Sequence, residues 1–164
     1  EISACLVGSE MCIRDSGRAG RKDAHGKVLI QVANTAHPVL QFVQQHDYAG
    51  FYAMEIQGRK QFGYPPFTRV IQLTFKHKSK EVVLSAAQEF ADQLRAGFEP
   101  WMAGPAEPVV DRIRNQYLME LVLKLPKDAA LIQRCKEAIQ LQEALLHQQL
   151  PYKSVVVVVD VDPF

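Results

Sequence analysis

The chain has 164 residues, 48% of them hydrophobic and 23% charged, with a formal net charge of +1. That size allows one good core with a small appendage and excludes a two-lobed motor. The near-neutral charge removes any global pull toward nucleic acid, so such binding would need a local basic patch. No apolar run approaches the ~20 residues needed to span a membrane. The valine run Val155–Val159 is too short, and at the wrong end, for a signal peptide. Cys5, Cys12 and Cys135 form neither a C-x-x-C pair nor a zinc-spaced cluster with histidine. An odd count without a framework points to a reducing, cytoplasmic compartment. Cys135 reads as a small core hydrophobe, and the five histidines are too scattered to suggest a metal site.

In chain order, residues Glu1–Ser16 show no helical or alternating period. The stretch from Ser3 to Asp15 closely resembles a peptide produced when sequencing-adaptor read-through is translated, so residues 1–16 are expected to be a non-native artefact. Gly17-Arg18-Ala19-Gly20-Arg21 follows, then a polar turn and a strand expected over Lys27–Ala33. Pro38 suits the first turn of a helix carrying Val39, Leu40, Phe42 and Val43. A second helix is expected over Tyr48–Lys60, ending before Gly63-Tyr64-Pro65-Pro66. A domain boundary is expected there, separating 17–64 from 65–164.

Beyond it, Thr68–Phe75 alternates as a strand, with Ile71, Leu73 and Phe75 on one face. Ser79–Ala96 is helical, with Val83, Ala86, Ala87, Phe90 and Leu94 in one stripe. Gly104-Pro105-Ala106-Glu107-Pro108 reads as a rigid loop after a possible short strand. Val109–Arg114 and Tyr117–Leu125 read as a hairpin turning at Asn115-Gln116. Asp128 can cap a helix to about His147, with Leu131, Cys135, Ala138, Ile139 and Leu146 inward. The chain closes with a strand, Ser154–Val161. The order β-α-β-β-α-β is the split βαβ arrangement, so the expected class is α/β in the two-layer α+β sense, ferredoxin-like, with two helices over one face of a four-stranded sheet. In that topology the last strand is normally an edge, whereas five consecutive valines suggest burial on both sides, so its outer face is expected to pack against another part of a longer protein and to stand exposed in this chain alone.

Two motifs carry chemistry. Arg18 and Arg21, set among Gly17 and Gly20, can bring guanidinium groups to a nucleotide phosphate, because arginine stays charged and donates bidentate hydrogen bonds. Arg112 and Arg114, alternating with Ile113, would share one hairpin face and straddle a phosphate backbone. Either group also fits an ordinary solvated surface. Arg59, Lys60, Arg69, Lys76, Lys78 and Lys80 are further candidate DNA contacts, although Lys76–Lys80 also reads as a solvated loop. Tyr64, Phe67 and Tyr117 could stack on bases, with the core the more natural place for Phe67 and Tyr117. Asp160 and Asp162 suggest capping of the chain end rather than chemistry.

Gly17–Arg21 ahead of a short strand resembles motif VI of superfamily 2 helicases, with Arg14 where that motif has glutamine. Phe51-Tyr52-x-x-Glu55-x-x-x-Arg59 leading into Tyr64-Pro65-Pro66-Phe67 is similar to the linker of the primosomal protein N′ (PriA) family. So are Gly104–Pro108 with Arg112–Tyr117, and the terminal Val159-Asp160-Val161-Asp162-Pro163. The resemblance runs from Gly17 to Phe164. It implies the C-terminal piece of an ATP-dependent 3′–5′ DNA helicase that restarts replication at stalled forks and D-loops. It further implies an S10-like DNA-binding domain over 65–164 and a remnant of the helicase lobe over 17–64. The implied partners are forked or single-stranded DNA, single-stranded-DNA-binding protein and other primosome proteins, with no membrane.

The implied cofactors are ATP with Mg²⁺, contacted here through Gly17, Arg18, Gly20 and Arg21, and zinc, for which this chain has no paired cysteines. With neither a phosphate-binding P-loop nor an acidic Mg²⁺ box, the chain alone is expected neither to hydrolyse ATP nor to unwind DNA. The alternatives are a stand-alone S10-like nucleic-acid-binding module without a motor, and an interaction domain docking partners through the valine strand.

Overall fold

The computed structural model describes residue 32 and residues 34–163. The adaptor-like segment, Gly17–Arg21 and all but Val32 of the strand expected at Lys27–Ala33 lie outside them. The chain divides into two compact units between Gly58 and Arg59.

In the first unit, helix α1 (Pro38–Gln45) starts where Pro38 occupies the first turn and the His37 ring accepts from the Val39 N–H at 3.3 Å. Proline suits that position because its missing N–H would have no intrahelical partner anyway. Helix α2 (Tyr48–Gln61) follows directly. Val39, Val43 and Phe51 form a small core with Phe42 against it, the two rings lying 6.4 Å apart.

The second unit is built on strand β1 (Thr68–His77), helix α3 (Lys80–Phe98), strand β2 (Met102–Ala106), strand β3 (Arg112–Ile113), strand β4 (Gln116–Pro126), helix α4 (Ala129–Gln148) and strand β5 (Val156–Val161). The sheet order is β2-β4-β1-β5, all neighbours antiparallel, with the short β3 paired only to β4. This is the expected two-layer α/β fold. Alternation sends Ile71, Leu73 and Phe75 from β1, and Met119, Leu121, Leu123 and Leu125 from β4, into one core with both helices. The α3 stripe Val83, Ala86, Ala87, Phe90, Ala91, Leu94 and Phe98 is wholly buried there, as helical spacing requires. Phe75 meets Phe90 edge to face at 5.2 Å, a geometry worth about 0.5–1.5 kcal/mol beyond area burial. Asp128 caps α4, accepting from the Ala130 and Leu131 N–H groups at 2.8 and 3.2 Å. Cys135 is fully buried from α4, and desolvation pushes its thiol up to about 11. It packs as a hydrophobe.

Three expectations are corrected. Gly104–Ala106 is not loop but part of β2, an edge strand with a register shift between Ala103 and Ala106. An edge tolerates Pro105, which has no N–H to give. Gly104 sits at φ +104°, and a Cβ there would lie 2.8 Å from the Glu120 carbonyl oxygen. Second, the strand expected over Val109–Arg114 shrinks to Arg112–Ile113, and β2 serves instead as the second of the four main strands. The turn falls on Arg114-Asn115, at φ 48° and 66°, because a two-residue hairpin turn of type I′ requires positive φ at both positions. Third, Phe67 is exposed and stands outside the core. The valine strand is the expected edge, and in this chain Val156, Val158, Val159 and Val161 are exposed, as expected of a strand whose outer face is left uncovered.

Candidate nucleic-acid interface

β1 sorts the candidate cations of the second unit into two groups. Arg69 lies near its start and Lys76 near its end, seven residues or about 23 Å apart at 3.3 Å per residue. Arg59 and Lys60, in the last turn of α2, precede the start. At the far end His77 is the register partner of Tyr117, and Tyr117 that of Arg112. Lys76, Lys78, Lys80, Arg112 and Arg114 therefore gather at one end of the sheet.

In the first group Arg69 and Arg59 are occupied by structural contacts. Arg69 pairs with Asp162, whose carboxylate also accepts from the Val70 N–H at 2.9 Å while the Asp162 N–H donates to the Val70 carbonyl at the same distance. Asp162 thus closes the end of the sheet, the capping role its terminal position suggested. Arg59 donates to the Pro65 carbonyl at 3.2 Å. Lys124, absent from the sequence-based candidates, stands 3.8 Å over the Tyr64 ring and donates to the Phe62 carbonyl at 3.0 Å. The cation covers one face of the aromatic ring that sequence reading offered for base stacking.

The second group is more open. Lys80 is held by Glu107 at 2.7 Å, and the hydrogen bond and charge of that carboxylate raise its pKa. An ammonium so neutralised has little to give a phosphate. Arg112 stacks 5.0 Å over the Tyr117 ring and donates to the Asn115 side-chain oxygen. Its guanidinium is thereby ordered yet exposed. Arg114 is exposed at the tip, in the turn, so the two arginines do not share a face by strand alternation as expected. Tyr117 packs against the core, as expected of it. His77, at the same end, bonds the Ser79 N–H at 3.0 Å and the Ser154 hydroxyl at 3.0 Å, and so fastens β1 to the loops around it.

Sequence reading missed the apolar residues of this tip. Val109 is 106% exposed, Val110 58% and Ile113 49%. Asn115, which tolerates positive φ, could have marked the turn one position earlier than Asn115-Gln116. Val109 and Val110 fall outside the ladder because β2 already takes Glu120 of β4, which leaves β3 only Arg112 and Ile113.

Among the described residues no three His, Cys, Asp or Glu side chains gather to hold a metal ion. None of the described helices is long and apolar enough to cross a membrane.

The family described as primosomal protein N C-terminal domain matches residues 60–164. The replication restart protein PriA of Bacillus subtilis is 28% identical over 151 residues, covering 91% of this chain and 18% of that protein. The protein of the same name from Treponema pallidum is 35% identical over 115 residues, 68% of this chain and 17% of the relative. That from Synechocystis is 32% identical over 151 residues, with 90% and 17% covered. The chain spans about a sixth of the length of these curated relatives. With the match running through β1, the Arg112–Tyr117 hairpin and β5, the chain belongs to the primosomal protein N C-terminal domain family.

Proposed function

We propose that this chain provides DNA contacts for a replication-restart helicase, gripping phosphates with the hairpin-end group of cations. The observation that carries it is the gathering of Arg112, Arg114, Lys76 and Lys78 at one end of the sheet, on the domain the family match covers. Arg112, held against Tyr117, can reach a phosphate without reordering, and Arg114 at the tip can take a second. The contact is with the backbone and therefore sequence-independent. Arg59, Lys60 and Arg69 are secondary contacts, since pairing with Asp162 already engages Arg69.

In the longer protein, Arg18 and Arg21, flanked by Gly17 and Gly20, would meet the γ-phosphate of ATP and stabilise charge in the transition state. Residues 65–164 are the DNA-binding domain of this reading and 17–64 a remnant of the helicase lobe. Forked DNA, single-stranded-DNA-binding protein and other primosome proteins are the partners, in the cytoplasm. Fluorescence anisotropy on a labelled fork tests it. Arg112→Ala with Arg114→Ala should weaken binding about tenfold near 0.1 M salt and reduce the salt slope by about 1–2. Unchanged affinity and slope would remove the hairpin from the DNA face.

A further inference from the structure

The sheet ends on β5, and the ladder beside it shows which of its backbone groups are unused. Just past the strand, the Asp162 N–H donates to the Val70 carbonyl at 2.9 Å. In an antiparallel ladder, positions that bond the neighbour alternate with positions that point away from it. Counting back by twos from Asp162, residues Asp160, Val158 and Val156 turn their N–H and C=O groups toward β1, opposite Gln72, Thr74 and Lys76. Val157, Val159 and Val161 turn theirs outward, where no described strand pairs with them. Val155 ends the row, because its N–H donates to the Tyr152 carbonyl and its carbonyl bonds the His147 ring, each at 2.9 Å.

The three outward residues also share a side-chain face. Val157 packs against the helix-covered core, while Val159 and Val161 are exposed. The one charge of the strand, Asp160, stands on the other face and spends its backbone groups on β1.

Such an edge fits its own copy. Two identical strands related by a two-fold axis normal to the sheet run antiparallel and keep both helix layers on one side. Across that axis, outward positions meet only outward positions. Each of them is valine, so every register the symmetry allows sets valine against valine, and β-branched pairs suit that contact. Growth stops at two. The opposite edge, β2, shifts register between Ala103 and Ala106 and carries Pro105, so it offers no second ladder.

We propose that β5 pairs antiparallel with β5 of a second copy of this chain, joining two sheets into one. A six-residue edge is smaller than a standard interface, so the dimer is weak, with a dissociation constant of about 10–100 µM.

Sedimentation velocity from about 1 to 300 µM should show a monomer passing to a dimer, with no larger species. Amide hydrogen exchange in the dimer should slow about tenfold or more at Val157, Val159 and Val161, whereas Val158 and Asp160, already bonded to β1, change far less. Val159→Pro removes one outward N–H and none that β1 uses, so it should keep the circular dichroism and abolish the dimer. A chain that stays monomeric at the top concentration overturns the proposal and leaves this edge to another part of a longer protein. Outward amides that exchange as fast in the dimer as in the monomer, or a dimer kept by folded Val159→Pro, overturn it too and put the contact on exposed side chains. Growth beyond two copies removes the two-fold closure. Should Val159→Pro not fold, the exchange pattern of the unsubstituted chain decides alone.

Discussion

The two edges of the sheet meet the same hazard in opposite ways. An edge strand presents unpaired N–H and C=O groups to any passing strand. At β2 the pairing with β4 is broken between Ala103 and Ala106, Gly104 turns to φ +104°, and Pro105 removes a donor. These are the features by which sheets blunt an edge. At β5 there is none of them. Six residues, Val156 to Val161, pair in regular register with β1 on one side only, and Asp160 is the single charge. One edge is closed to pairing by its backbone, while the other is left open.

If the β2 edge is shaped by Gly104, the largest effect should come from giving that residue a side chain. The Cβ would meet the Glu120 carbonyl oxygen at 2.8 Å and the Ala106 nitrogen at 3.2 Å, and the backbone conformation is one that L side chains rarely adopt. Gly104→Val should cost about 2–4 kcal/mol of unfolding free energy, because neither strain nor clash can relax without shifting the β2–β4 register. Urea unfolding followed by circular dichroism measures it. A loss under about 0.5 kcal/mol would mean the bulge is incidental.

At the other edge the fixed point is Asp162, just past β5. Its carboxylate accepts from the Val70 N–H at 2.9 Å and pairs with Arg69. Asp162→Ala leaves that N–H without its acceptor, and should cost about 1 kcal/mol. Arg69→Ala should cost less, under about 0.5 kcal/mol, since the exposed ion pair is screened by solvent. Faster amide exchange at Val70 in the first variant but not the second would separate the backbone cap from the salt bridge. Equal losses in both would put the weight on the ion pair instead.

The edges also show what pattern reading can reach. Periodicity found the helix-covered layer nearly residue by residue: Ile71, Leu73 and Phe75, the α3 stripe, and the β4 alternation from Met119 to Leu125 are all buried together. Periodicity reports faces, and a core is made of faces. It does not report neighbours. Gly104-Pro105 carries turn residues and reads as loop although it is a strand, because only an edge strand accepts them. The valines read by composition as a doubly buried strand and by topology as a margin, and only the topology told which, because hydrophobicity alone does not tell covered from uncovered. The interface was half legible for a similar reason. Arg112 and Arg114 stand out by charge, but their geometry depends on a turn displaced by one residue, which moves Arg114 off the strand.

The smallest effect on stability sharpens the contrast most. Val158 lies at the middle of β5, paired with Thr74, and is 38% exposed. It therefore faces the side of the sheet opposite Phe75 and Leu73, which are buried against the helices. Val158→Lys removes little packing and should change unfolding free energy by no more than about 0.5 kcal/mol. A lysine at mid-strand is, however, a standard defence of a sheet edge, since a second strand laid alongside would have to desolvate its charge. If the β5 edge is open, the unsubstituted chain should self-associate with rising concentration and bind a hydrophobic dye. Val158→Lys should lower both, read by light scattering and dye fluorescence. The matching change on the blunted edge, Ala103→Lys, should alter neither. Equal responses at the two edges would mean that their different backbones make no difference to association, and that the exposed valines, rather than unpaired hydrogen-bonding groups, set the behaviour of the surface.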